Sequence, residues 1–276
     1  MIHTVGITNQ VELNYPAPLK GELLSCMDAA KRIGFDGVEI HMRNPLVEDS
    51  HMLADAAAER GLRITTIGTG MACYADGHYM TNPDLAARKE AEKVLNSFFY
   101  AGQVCGAKAI MFGLMKGPLP DSKKRDEQKK ILYEALLPVV DTAEKTGVDL
   151  TIEAINRFQS SFLWSTDETL EFVNRFQSDR VTIHLDVFHM NIEDDGFYKN
   201  IMKCGKKLGH FHFTDNDRCY PGHSRMNFKE IYDALYDVGY APDGIASHEY
   251  DPVPDGITAC TRGLTYLKMI EREFKR

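Results

Sequence analysis

The sequence predicts a single (β/α)8 barrel over residues 1–276, and three observations lead to that fold. The chain has 276 residues and 43% hydrophobic side chains, which suits the length and core of one such barrel. Short apolar runs alternate with longer amphipathic segments, as expected for parallel strands joined by crossover helices. Glycines stand between the amphipathic segments and the strands that follow them, where helices commonly end. No Gly-x-Gly-x-x-Gly turn follows the first apolar run, so a barrel is favoured over an open dinucleotide-binding sheet.

Eight short, β-rich apolar runs supply the strands. They span residues 4–8, 37–41, 63–68, 107–113, 149–155, 181–186, 210–214 and 245–249. The segments between them include clear amphipathic helices at 85–105, 128–145 and 228–238, where apolar residues recur every three or four positions. The count of strands therefore matches the eight repeats of the barrel.

Helix ends are marked by residues with known terminal preferences. We expect N-caps at Asn227 and at Thr166 or Asp167, and we expect the charged region 116–130 to be an exposed loop that leads into a helix. Five glycines each follow a helical segment and precede a strand, where a helix commonly ends on a left-handed residue. These glycines are Gly34, Gly61, Gly106, Gly147 and Gly239.

Composition narrows the choice of partners and compartment. The formal net charge of −8 gives no basic field for a nucleic acid, so a small molecule is the expected partner. The six cysteines form no CxxC pair, which suits reduced thiols in the cytoplasm. No run of eighteen apolar residues predicts a membrane span, and the N-terminal residues do not form an export signal. The oligomeric state is left open, and a homo-oligomer is compatible with the sequence.

Four metal-ligand residues stand at the carboxyl ends of the last four predicted strands. They are Glu153, Asp186, His212 and Glu249. In a barrel these strand ends converge on one mouth, where catalytic groups are found. Three carboxylates placed together repel one another unless a cation holds them. The mixed carboxylate and imidazole set suits Mn²⁺, Co²⁺ or Mg²⁺ better than a thiolate zinc site.

Other polar and aromatic residues near these strand ends have structural interpretations. His184 and His210 lie two positions before Asp186 and His212, so they share the inward faces and are expected beneath the ligands. His248 points away from Glu249 and is expected to pack against a helix. Trp164 is compatible with the pocket wall or with ordinary packing.

Three segments resemble the ketose 3-epimerases of the xylose isomerase-like barrel superfamily. They are Glu-Ala-Ile-Asn-Arg-Phe at 153–158, Leu-Asp-Val-Phe-His at 185–189 and His-Phe-Thr-Asp-Asn-Asp-Arg at 212–218. Similarity of order and spacing extends over nearly the whole chain and includes Pro221-Gly222 and Glu249. The resemblance implies that Glu153, Asp186, His212 and Glu249 bind one divalent ion, Mn²⁺ or a similar ion. It also implies that His189 and Arg218 hold substrate oxygens.

That chemistry predicts inversion of the carbon beside the ketone of a keto sugar. A metal stabilises the enediolate that forms when the proton leaves. Inversion requires proton carriers on both faces, and Glu153 and Glu249 come from different strands, so we expect them to act as the acid/base pair.

Two positions depart from the usual epimerase pattern and affect the expected substrate contacts. Gln159 replaces the usual acidic residue after Asn-Arg-Phe. Pro-Gly is usually followed by another glycine two positions later, whereas this chain reads Pro221-Gly222-His223-Ser224. The loop after the fourth strand also lacks the usual tryptophan. We therefore assign Gln159 and His223 to substrate binding and keep a bulkier keto sugar or keto-glycoside open, with an exposed loop histidine as the alternative for His223.

Other functions remain open at this point. A keto-inositol or 3-keto-glycoside isomerase, dehydratase or lyase would use the same metal and carboxylates. An endonuclease-type barrel would need further metal ligands and a basic groove, which the net charge disfavours. A noncatalytic sugar-binding barrel would have little use for the paired glutamates.

Overall fold

The computed structural model describes residues 1–118 and 124–274. Eight parallel strands form a closed barrel in which the last strand pairs with the first, so the predicted fold is confirmed. A two-residue strand, β2, pairs with the carboxyl end of β1. The strands are β1 Ile2–Thr8, β2 Leu19–Lys20, β3 Gly37–His41, β4 Arg63–Gly68, β5 Ala109–Phe112, β6 Asp149–Glu153, β7 Val181–Asp186, β8 Leu208–Phe213 and β9 Ile245–His248.

Helices surround the barrel and cover the apolar outer faces of its strands. Helix α4, for example, buries Leu95, Phe98 and Phe99 completely. No helix of the two described ranges has the length and apolar character needed to span a membrane. The helices are α1 Leu23–Ile33, α2 Ser50–Glu59, α3 Gly70–Asp76, α4 Leu85–Cys105, α5 Arg125–Thr146, α6 Thr166–Val173, α7 Val187–Glu193, α8 Phe197–Cys204, α9 Phe228–Asp237 and α10 Gly256–Glu271.

Strand alternation places polar residues inside the barrel in two adjacent layers. On β7, Ile183 and Leu185 join the apolar core, whereas His184 and Asp186 face the opposite way because successive side chains alternate. The register of β7 and β8 pairs His184 with His210 and Asp186 with His212. The barrel therefore sets these four side chains side by side in two layers.

Helix termini agree with the sequence at most positions. The five predicted glycine stops all have positive φ, between 61° and 102°, where a side chain would be strained. Asn227 caps α9 by accepting a hydrogen bond from the Glu230 amide, as predicted. The cap predicted at Thr166 or Asp167 was wrong, because the Ser165 hydroxyl caps α6 one residue earlier.

The expectation of an exposed loop at 116–130 was wrong at its first residue. Lys116 is 1% exposed, and its ammonium group donates to the carbonyl oxygens of Glu153 and Leu163 at 2.9 and 3.4 Å. Residues 119–123 lie outside the described ranges, and α5 begins at Arg125. A buried ammonium needs oxygen partners, and the ends of β6 and its following loop provide them here.

Candidate active site

Four strand ends bring the predicted metal ligands together. Ligand atoms of Glu153, Asp186 and His212 all lie within 4.8 Å of one another. His212 Nδ1 is 3.7 Å from Asp186 Oδ2 and 3.4 Å from Glu249 Oε2. These side chains come from or directly follow the neighbouring strands β6, β7, β8 and β9, and the group is able to hold a metal ion.

A buried carboxylate beneath the site fixes the orientation of His212. Glu39 Oε1 lies 3.0 Å from His212 Nε2, and Glu39 Oε2 lies 2.7 Å from His210 Nε2. The same carboxylate accepts hydrogen bonds from the hydroxyls of Thr66 and Ser247. His212 Nδ1 is buried and has no hydrogen-bond partner among the described residues, so it is the ring nitrogen left for a metal.

The negative charge of the buried Glu39 carboxylate is balanced by the imidazoles of His212 and His210. Burial acts to raise the pKa of Glu39, but the imidazoles of His212 and His210 hold it well below its usual range. Burial acts to lower the pKa of His212, but Glu39 and Glu249 raise it well above the usual value. A cation that binds Nδ1 would displace the His212 proton, so we expect metal binding to release protons.

Arg218 reaches into the ligand group from the loop after β8. Its Nη1 is 2.8 Å from Asp186 Oδ2, and its Nη2 is 2.6 Å from Glu249 Oε2. Its guanidinium carbon also lies 4.8 Å from the centre of the Phe188 ring. Burial opposes the charge of Asp186, but the guanidinium of Arg218 holds the pKa of that carboxyl below its usual value. Arg218 thus neutralises two of the candidate ligands.

The two glutamates at the site have opposite electrostatic environments. Burial and the nearby Glu249 carboxylate raise the pKa of Glu153 to about 8. Burial also acts to raise the pKa of Glu249, but His212 and Arg218 lower it. Gly113 gives Glu153 its space, because a Cβ at that position would stand 2.3 Å from Glu153 Oε2. The two carboxyls therefore differ in proton affinity, and both must be ionised to hold a metal ion.

A cavity of about 440 Å³ opens over the site and has polar and aromatic walls. His189 lies in this wall with Nδ1 2.7 Å from the Asn156 amide nitrogen, which places the ring proton on Nε2, 3.6 Å from Glu153 Oε1. Burial lowers the pKa of His189 to about 4, so its ring is neutral. The lining residues are Asn14, Tyr15, Pro16, Tyr74, Leu114, Glu153, Ile155, Gln159, His189, Arg218, Glu249 and Asp251.

The cavity includes three of the four residues assigned to substrate binding. Gln159, His189 and Arg218 line it beside Glu153 and Glu249. His223 lies outside the lining, with Nδ1 2.7 Å from Asp217 Oδ2. Its assignment to substrate binding therefore stays a prediction without support from the geometry.

The other residues that the sequence analysis singled out make contacts within the protein and do not line the cavity. His184 packs edge-on against His212 with ring centres 4.1 Å apart, and His210 binds Glu39, so both lie beneath the ligands as expected. His248 packs edge-on against Phe35, which follows α1, with ring centres 5.0 Å apart. Trp164 donates to the Ser160 carbonyl and stacks under Arg125, so it packs rather than lining the cavity.

Sequence reasoning missed residues that support the site from other strands. Glu39 and His41 on β3 face the ligands, with His41 Nε2 3.1 Å from Glu39 Oε1 and 3.8 Å from Glu249 Oε1. Glu39, His41 and Glu249 also form a second group of ligand atoms within 4.8 Å of one another. Tyr15, from the loop after β1, lies over His41 and lines the cavity. The alternating polar residues in β3 were the available signal for Glu39 and His41.

Comparison with known families decides the family. Residues 27–268 match the family model described as xylose isomerase-like TIM barrel. An L-ribulose 3-epimerase of Mesorhizobium japonicum is 30% identical over 227 residues, which cover 81% of this chain and 74% of the relative. The chain belongs to the ketose 3-epimerase family of xylose isomerase-like TIM barrels. As a member of this family it is an enzyme of the isomerase class.

Two further relatives differ in the substrate that their names give. A crystal structure of D-psicose 3-epimerase with D-tagatose from Clostridium cellulolyticum H10 matches with a TM-score of 0.82 and 25% identity, covering 99% of each chain. A 3-dehydro-D-guloside 4-epimerase of Escherichia coli strain K12 is 27% identical over 208 residues, 74% of this chain and 79% of the relative. The names of these relatives thus refer to free ketoses in one case and to a dehydro-guloside in the other.

Proposed function

We propose that this enzyme is a metal-dependent ketose 3-epimerase that inverts the carbon beside the ketone of a free keto sugar. The observation that carries this proposal is the placement of Glu153 and Glu249 on either side of Asp186 and His212 along the barrel rim, with both glutamates lining one cavity. Inversion needs two proton carriers that approach one carbon from opposite faces, and two glutamates from separate strands suit that need.

The residues present fit a single divalent cation. Three carboxylates and one imidazole nitrogen converge, and the buried His212 Nδ1 lacks a hydrogen-bond partner within the described part of the chain. We propose Mn²⁺ as the ion, with Co²⁺ and Mg²⁺ as alternatives, because the oxygen-rich set contains no thiolate. When bound, such an ion supplies positive charge that stabilises negative charge on the ketone oxygen of the substrate.

The protein side chains would then move the protons. One of Glu153 and Glu249 removes the proton from the carbon next to the ketone, and the other returns a proton to the opposite face of the enediolate. Their pKa values shift in opposite directions without a metal, so the two carboxyls are not equivalent as proton carriers. His189 would donate from Nε2 to a substrate oxygen, and Arg218 would add positive charge beside the enediolate.

A second candidate is an isomerase of 3-keto-glycosides, and Gln159 favours it. Gln159 stands exposed at the cavity wall where the family usually has an acid, so a charged contact to a free sugar is lost. The Escherichia coli relative named for a keto-glycoside shows that the family also holds such enzymes. For either substrate we propose the cytoplasm as the compartment.

Metal analysis combined with a substrate panel tests the proposal. Gently purified protein should contain about one divalent ion per chain at the active site, and chelation should abolish turnover until Mn²⁺ or Co²⁺ is added. The panel consists of free ketoses, ketose phosphates and keto-glycosides, and the highest kcat/KM is expected for a free ketose. Full activity in metal-free protein would overturn the metal site, and preferred turnover of a keto-glycoside would establish the second candidate instead.

A further inference from the structure

Three side chains of different ligand types meet on the loop after β8, outside the active-site cavity. His223 Nδ1 lies 2.7 Å from Asp217 Oδ2. Ligand atoms of Asp217, Cys219 and His223 all lie within 4.8 Å of one another. None of these three residues is used by the proposed reaction. The cluster therefore requires an explanation of its own.

The backbone of this loop is held by internal hydrogen bonds, so the three side chains have a fixed frame. The Asp215 carboxylate accepts hydrogen bonds from the amides of Gly222, Ser224 and Met226. The Cys219 amide donates to Asp217 Oδ1 at 3.1 Å, and its carbonyl accepts from the Asp215 amide at 2.9 Å. A frame of this kind reduces the ordering cost of binding an ion.

The chemistry of the cluster differs from that of the active site. A thiolate, an imidazole and a carboxylate form a borderline-soft donor set that suits Zn²⁺ in tetrahedral geometry, with water in the fourth position. The four candidate ligands at the active site offer oxygen and imidazole nitrogen only. The side chains of His223 and Asp217 are 40% and 36% exposed, so an ion has access from solvent.

We propose that Asp217, Cys219 and His223 form a second cation site, specific for thiophilic divalent ions such as Zn²⁺. Binding replaces the hydrogen bond between His223 and Asp217 by metal bonds and releases the thiol proton of Cys219. Arg218 lies between two of the ligands in the chain, while its guanidinium binds Asp186 and Glu249. An ion at this site therefore holds the backbone on both sides of Arg218 in one conformation.

Co²⁺ is a suitable probe because a thiolate ligand gives a near-ultraviolet charge-transfer band that oxygen and nitrogen ligands do not. Protein preloaded with Mn²⁺ is titrated with Co²⁺, and wild type should develop this band with one thiolate site per chain. Zn²⁺ should displace the Co²⁺ and remove the band. Any Co²⁺ that enters the active site gives no thiolate band, so the readout is independent of the proposed epimerase activity.

Single variants assign the band to the cluster. Cys219→Ser should abolish it, and His223→Ala and Asp217→Asn should each weaken Co²⁺ binding by at least about tenfold, as expected for loss of a metal contact. Cys105→Ser is the matched control, because Cys105 is also a partly buried free thiol but lies at the end of α4, and it should leave the band unchanged. Absence of the band in wild type, its persistence in Cys219→Ser, or unchanged affinity in both His223→Ala and Asp217→Asn would overturn the proposal.

Discussion

The Nε2 atom of His212 lies 3.0 Å from the Glu39 carboxylate, and this contact turns Nδ1 toward Asp186 and Glu249. Glu39 is fully buried and also binds groups on β4, β8 and β9. One carboxylate on β3 therefore joins four strands beneath the candidate metal ligands. Glu39 acts on the site by positioning His212.

Glu39→Gln is expected to weaken metal binding by about 10- to 100-fold, because loss of the carboxylate loosens His212 and lowers its basicity. Equilibrium titration of the metal-free protein with Mn²⁺ measures the effect, and circular dichroism checks the fold. Ser247→Ala is the matched control, since it removes one hydrogen bond from the same carboxylate but leaves the bond to His212. Equal Mn²⁺ affinities of Glu39→Gln and wild type would contradict the positioning role.

Arg218→Ala should lower kcat/KM by about 100-fold, because it removes a positive charge directed at the developing enediolate. Metal affinity should stay the same or rise, since Arg218 competes with a cation for the carboxylates of Asp186 and Glu249. Kinetics and metal titration are measured on the same preparations. Arg225→Ala, an exposed residue of the same loop, is the control and should match wild type. Loss of metal in folded Arg218→Ala would show that the assignment is wrong.

The sequence predicted the barrel because strand and helix periods, glycine stops and chain length all point to the same fold. It also predicted that Glu153, Asp186, His212 and Glu249 would meet, since ends of adjacent parallel strands converge at one mouth. The structure brings these four together. Their catalytic roles remain predictions.

Contacts between strands distant in sequence could not be predicted in the same way. Alternation shows that Glu39 faces inward, but only the closed barrel reveals that it meets His212, 173 positions away. Lys116 lies in a charged segment, and its burial depends on carbonyl oxygens at the end of another strand. His223 was assigned to the substrate from a loop motif, whereas the folded loop turns it toward Asp217.

Glu271 is expected to make stability depend on acid pH. Burial acts to raise its pKa, but hydrogen bonds with His3 and the N-terminal ammonium lower it to about 2, from 4.5. A lowered folded pKa contributes stability above the unfolded value, and that contribution is lost as pH falls from about 4.5 toward 2. Glu271→Gln should thus cost about 2 kcal/mol in the free energy of unfolding at pH 6, after allowance for screening, and much less near pH 3. Urea unfolding at both values measures this difference, and an equal cost at both would contradict it.

Turnover in D2O with wild type, Glu153→Gln and Glu249→Gln tests the two-base account most directly. Wild type should place solvent deuterium on the inverted carbon. Each amide variant should retain metal while epimerisation falls by about 100-fold or more, because an amide keeps the shape and an oxygen ligand but cannot carry the proton. A variant that exchanges the substrate hydrogen without inverting the carbon would identify its missing carboxylate as the group on the returning face. If both variants retain metal and invert the substrate at near wild-type rates, or if no deuterium enters the inverted carbon in wild type, Glu153 and Glu249 are not the acid/base pair.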